Sequence, residues 1–125
     1  LLLADGPPGI GCPLIATVGD MDAVLIVTEP GISALHDLRR LVTVCRRFNV
    51  QIFVVINRFD LADEFCTRIE DYCAEEGIPT TGKIPFDPEV VAAVRSGRPA
   101  TRIDSPAAKA LRALRDNLFI ELGLS

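Results

Sequence analysis

Asp5 ends the apolar run Leu1-Leu2-Leu3-Ala4 and is followed by GPPGIGCP, a stretch poor in polar side chains. A carboxylate in that place can hold Mg2+ through its water shell, because the ion takes one or two carboxylates plus waters and phosphate oxygens. Glycines after it let backbone N–H groups come close to a phosphate. Further on, VVINRFD closes a β-branched run on Asn57, with Asp60 three residues later. An Asn amide can pair with the N6 and N7 edge of adenine. Cys12 places a thiol seven residues after Asp5. Each group also has a plainer use. Asp5 can cap a tight turn, Asn57 and Asp60 can satisfy their own loop, and Cys12 can fill space beside Pro13.

These residues need elements to hold them. Short apolar runs at Leu1–Ala4, Ala23–Val27, Ile52–Ile56 and Thr80–Ile84 fit strands, the last more weakly. Runs of that kind suit a parallel sheet covered on both faces. Between and after them lie helical patterns. Ser33–Phe48 has apolar residues at 35, 38, 41, 42, 45 and 48, with Ser33 as N-cap. Leu61–Glu76 ends at Gly77, with Pro79 beyond. Asp87-Pro88 and Ser105-Pro106 each read as N-cap then N1, opening helices to about Arg95 and Leu122. Alternating strands and helices imply right-handed crossovers and a three-layer α/β domain with about four strands, over residues 1–125.

Ligands of open parallel sheets bind beyond the carboxyl ends of the strands. Here those ends carry Asp5 and DGPPGIGCP, then Thr28-Glu29-Pro30-Gly31, then Asn57-Arg58-Phe59-Asp60, then Pro85-Phe86-Asp87-Pro88. A carboxylate closing a buried strand is the usual seat of the Mg2+-associated acid in P-loop NTPases. In order, DGPPGIGCP, VTEPGISALHDL, VVINRFD and IPFDPEVVAAVRSGRPA resemble the MinD/ParA/Mrp group of P-loop ATPases. They look nearest to MinD-superfamily members that carry an inserted ferredoxin-type domain. The resemblance covers nearly the whole chain. It implies that Asp5 is the Walker B aspartate and that Gly9 belongs to switch II. It implies that Asn57 contacts adenine while Pro85, Phe86 and Asp87 close over the base. It implies ATP with Mg2+ as cofactors, a homodimer as the working state and an unidentified client protein. In the related nitrogenase iron protein a cysteine seven after the switch aspartate ligates a 4Fe-4S cluster between two subunits, which makes Cys12 a candidate ligand.

The departure is the absence of a GxxxxGK[ST] stretch, so the phosphate-cradling loop would lie upstream. The chain lacks a starting Met and opens inside an apolar run, and we expect it to be the C-terminal piece of something longer. The strand that carries the phosphate loop sits, in this family, between the strand ending at Asp5 and the strand 23–27. This chain alone should therefore not hydrolyse ATP, should bind nucleotide weakly, and should expose apolar sheet edge that invites self-association.

Composition sets the remaining bounds. The 125 residues are 49% hydrophobic and 24% charged, with a net charge of -4. An acidic domain is a poor holder of a phosphate backbone by bulk charge, so no nucleic acid is expected. Arg39, Arg40, Arg46 and Arg47 then read as a solvated helix face, and His36 as a surface residue. No apolar run approaches the roughly 20 residues of a membrane span, and no basic amphipathic tail precedes Ser125. Cys66 and Cys73 lie about 10.5 Å apart along a helix, too far for a disulfide. With Cys45 they read as packing in a reduced, cytoplasmic protein. Two rivals stand beside the ATPase reading. NRFD is close to the NKxD of GTPases, in which Asn and Asp contact guanine. A non-catalytic α/β interaction or electron-transfer module would keep the fold without the chemistry.

Overall fold

The computed structural model describes residues 1–6 and 12–124, with only the backbone for residues 12–14. Its helices are α1 (Cys12–Val18), α2 (Ile32–Arg47), α3 (Asp63–Glu75), α4 (Pro88–Arg95) and α5 (Pro106–Glu121). Its strands are β1 (Ala23–Thr28), β2 (Gln51–Asn57) and β3 (Thr80–Ile84), and short 3-10 turns cover Phe59–Leu61 and Ala100–Arg102. The three strands form one parallel sheet in the order β1-β2-β3.

β2 is the centre of the fold because every residue from Ile52 to Ile56 is buried. Ile52, Val54 and Ile56 belong to the core formed with Leu38, Val42 and Cys45 of α2 and Cys66, Ile69 and Cys73 of α3. Phe53 and Val55 are buried as well, so β2 is covered on both faces. Burying five such side chains contributes on the order of 10 kcal/mol before the entropy cost. α5 lies on β3, where Gly82 has no side chain and Leu114 fills the space. A Cβ at Gly82 would stand 3.2 Å from the Leu114 Cδ1.

The helix ends follow local chemistry. Gly77 ends α3 in the left-handed region at φ 67°, and the Ile78 N–H returns to the Cys73 carbonyl. Asp87 and Ser105 cap α4 and α5 and accept from the Glu89 and Ala108 N–H groups, each with a proline just inside. α2 departs from expectation. It starts one residue before Ser33, with Gly31 as N-cap and no side-chain cap.

The strand expected at Leu1–Ala4 is not formed, and the sheet has three strands rather than four among the described residues. Leu1, Leu2 and Leu3 are 92%, 79% and 89% exposed. An apolar run becomes a strand only when a neighbour supplies ladder hydrogen bonds, and β1 pairs with β2 alone. α1, over Cys12–Val18, was not anticipated in the sequence.

Candidate functional site

The carboxyl ends of β1, β2 and β3 carry loops joined by a row of polar ties. Thr28 ends β1, and Glu29 beside it pairs with Arg58 at 2.6 Å, linking the first loop to the second. Both side chains of that pair are about half exposed, so its strength is modest, roughly 0–1 kcal/mol. Arg58 holds a left-handed backbone at φ 52°, uncommon for a residue with a Cβ. That kink turns the chain from β2 into the Phe59–Leu61 turn, closed by the Leu61 N–H on the Arg58 carbonyl.

The second tie joins the loop after β2 to the loop after β3. Asp60 Oδ1 accepts from the Phe86 backbone N–H at 2.8 Å. The third joins the loop after β3 to α5. Asp87 accepts from the Glu89 N–H at 3.0 Å and from the Ala107 N–H at 3.2 Å. Desolvation pushes the Asp87 pKa up, but hydrogen bonds from the Ser105 hydroxyl and those two amides outweigh it. The group therefore titrates below the ordinary carboxylate range.

Asn57, the last residue of β2, is half-buried and sits opposite Ile84 in the ladder. Its Oδ1 accepts from the Arg58 N–H at 3.1 Å. Phe86 follows Ile84 by two residues and remains 46% exposed, a large ring held at the sheet edge. Asn57, Asp60, Pro85, Phe86 and Asp87 are thus gathered at one end of β2 and β3.

Asp5 lies on the other side, across β1. With Leu2, Leu3 and Gly6 it lines a cleft of about 750 Å3 that β1, from Ala23 to Thr28, and α2, with Ala34, Leu38 and Leu41, line as well. The Thr28 hydroxyl is buried and makes no hydrogen bond among the described residues. Asp5, Thr28 and Glu29 are among the oxygen-bearing residues that line this cleft. Gly9 lies outside the described residues, and so does the side chain of Cys12, whose backbone begins α1. Among the described residues no group of three His, Cys, Asp or Glu could hold a metal ion.

His36, Arg39, Arg40, Arg46 and Arg47 are exposed, with Arg46 paired to Glu76 and Arg39 over the Tyr72 ring. Cys45, Cys66 and Cys73 are buried free thiols, and desolvation is the first cause raising each of their pKa values. No described helix is long and apolar enough to cross a membrane. Sequence reasoning missed the Glu29–Arg58 and Asp60–Phe86 ties and the orphaned Thr28 hydroxyl. The substitution of Arg58 for lysine in an NKxD-like loop was the one signal that could have pointed to the first.

Residues 1–119 match the ParA family model described as the NUBPL iron-transfer P-loop NTPase. The chain is 46% identical over 56 residues to an uncharacterized protein of Methanocaldococcus jannaschii, covering 45% of this chain and 20% of that one. It is 28% identical over 137 residues to the cytosolic Fe-S cluster assembly factor NUBP2 of Bos taurus, covering 96% and 51%. It superposes on the cell division ATPase MinD of Pyrococcus furiosus with a TM-score of 0.77 and 25% identity, covering 94% and 50%. The chain spans about half or less of the length of these proteins.

Proposed function

The chain belongs to the ParA/MinD family of P-loop NTPases, and on that premise we propose that it is the switch II and base-recognition half of a MinD-like ATPase. The observation that carries this reading is the cleft along β1. It separates an unpaired parallel edge from a segment that ends in Asp5. A parallel strand laid in it would pair with β1, cover Val27, which is 64% exposed, and bring its own carboxyl end beside Asp5 and Thr28. That is where a phosphate-cradling loop has to start.

In the intact protein Asp5 would hold Mg2+ through its water shell, with the Thr28 hydroxyl as a further hard oxygen lining the same cleft. When bound, Mg2+ neutralises charge on the terminal phosphates. Backbone groups around Gly9 sense the γ-phosphate. Asn57 reads adenine, and the Pro85-Phe86-Asp87 turn lies against the base. ATP binding and hydrolysis then switch the conformation of a cytoplasmic homodimer acting on a client protein.

The bovine relative's name supports an iron–sulfur cluster as cargo rather than resident cofactor. Cys12 is the candidate ligand in this chain. Iron reconstitution of the intact protein and of Cys12→Ser checks it: cluster content falls if Cys12 ligates and stays level if it does not.

Calorimetry with ATP–Mg2+ and GTP–Mg2+, on this chain and on the chain joined to the sequence encoded upstream, tests the whole reading. We expect binding of ATP by the longer protein only. If neither protein binds nucleotide, the fold has been kept without the function.

A further inference from the structure

We propose that Asp60 is a positioning residue of the base site and does not read the base: it fixes the loop that carries Phe86 at the carboxyl ends of β2 and β3, next to the strand end that carries Asn57. The inference rests on the base-site reading above.

The geometry separates the two roles. A carboxylate that reads guanine presents both oxygens, side by side, to the ring N1–H and the 2-amino group. In this chain Oδ1 of Asp60 is already held by the Phe86 N–H at 2.8 Å, across 26 residues of sequence. The carboxylate is therefore aimed at the loop after β3. Charge-assisted hydrogen bonds of this kind are short and strong enough to set a loop.

What the tie positions is also visible. The turn it grips is gripped again from behind, where Asp87 accepts from Glu89 and Ala107. Phe86 itself stands 46% exposed. On the near side the Asn57 Oδ1 takes only the Arg58 N–H among the described residues, which leaves a lone pair and both Nδ2 hydrogens. An amide with one acceptor and one donor side by side matches N6–H and N7 of adenine and opposes O6 of guanine.

The test is competition of ATP, GTP and xanthosine triphosphate for the intact protein, with Asp60→Ala and Asp60→Asn as variants. The amide exchange rate of Phe86 is followed in parallel. Asp60→Ala is expected to weaken ATP binding roughly tenfold and to speed Phe86 exchange. Asp60→Asn keeps an oxygen acceptor and should restore both to within about threefold, without gaining the xanthine nucleotide. A gain of xanthosine triphosphate by Asp60→Asn would mean that residue 60 faces the base, and would overturn the proposal. An ATP affinity unchanged in Asp60→Ala would overturn it too, while leaving the base site standing. Wild-type protein that binds no nucleotide, with Phe86 exchange still governed by Asp60, would bring down the base-site reading and the nucleotide role with it. The tie would then be purely architectural.

Discussion

The two flanks of the sheet are built to different standards. On the β2–β3 side β2 is buried along Ile52–Ile56, β3 carries α5, and the loops beyond both are pinned by carboxylates on backbone amides. On the β1 side no such tie is made by the segment before α1 among the described residues, and Val27, 64% exposed, lines a cleft together with residues 2–6. The contrast teaches that the two parts of the proposed nucleotide site stand on different footings. The proposed base side lies on loops tied together within residues 51–121. The proposed phosphate side has Asp5 and Thr28 lining the cleft among the described residues.

The sharpest way to break this comparison is to put the same charge on both flanks. Val54→Asp buries a carboxylate with no partner in the 0%-exposed heart of β2. We expect a loss of about 4 kcal/mol or more, enough to abolish the folded state. Val27→Asp should change stability by less than about 0.5 kcal/mol and reduce self-association through the β1 edge. Urea unfolding followed by circular dichroism, together with sedimentation, reads both. Equal destabilisation would mean that β1 is as much a core strand as β2.

A smaller effect sharpens the comparison on the finished flank. Gly82→Val drives two γ-carbons into Leu114, where a Cβ alone already comes within 3.2 Å. The overpacking should cost about 1–3 kcal/mol in the same assay. A neutral result would mean that α5 can slide on β3.

The same division explains what was legible in the sequence. β1, β2 and β3 were readable within a residue or so because their apolar, β-branched runs pair with one another in this chain. Asp87-Pro88 and Ser105-Pro106 announced α4 and α5 because a cap is a local device. Leu1–Ala4 misled for the opposite reason: its pattern is that of a strand, and no strand among the described residues pairs with it. The strand-end rule found Asn57 and the Pro85-Phe86-Asp87 turn. It could not find the ties between loops, since the grip of Asp60 on Phe86 spans 26 residues and leaves no periodic trace. Ser33 was the natural cap for α2, yet the helix begins earlier at Ile32, outside the apolar stripe that the sequence displays.

Further down the scale, the Glu29–Arg58 pair crosses from the open flank to the finished one. Glu29→Gln should cost about 0.5 kcal/mol, with salt removing the difference, because both groups are half exposed. A cost above about 2 kcal/mol would mean that the pair holds the left-handed turn at Arg58 in place.

The smallest effect is a change of shape in the pH profile, and it belongs to the finished flank alone. The folded-state pKa of Asp87 lies below its ordinary value of 3.8. Folding therefore favours the charged form. The stabilisation is fully present above the unfolded value and is lost as the pH falls through the lower folded one. Asp87→Asn cannot ionise and keeps a single oxygen, so it can accept from only one of the Glu89 and Ala107 amides, which reach different oxygens of Asp87. Its stability should run closer to flat between about pH 4 and pH 2, where wild type declines more steeply. Above pH 5 the two curves should run parallel, with the variant lower by the lost hydrogen bond. Acid titrations of unfolding, monitored by circular dichroism, measure the difference directly. If the two acid limbs coincide, the hydrogen bonds that Asp87 accepts do not favour its charged form, and the α4–α5 junction is held by packing alone. If they diverge as described, the carboxylate charge itself fastens the loop after β3 to α5, with nothing required from the open side of β1.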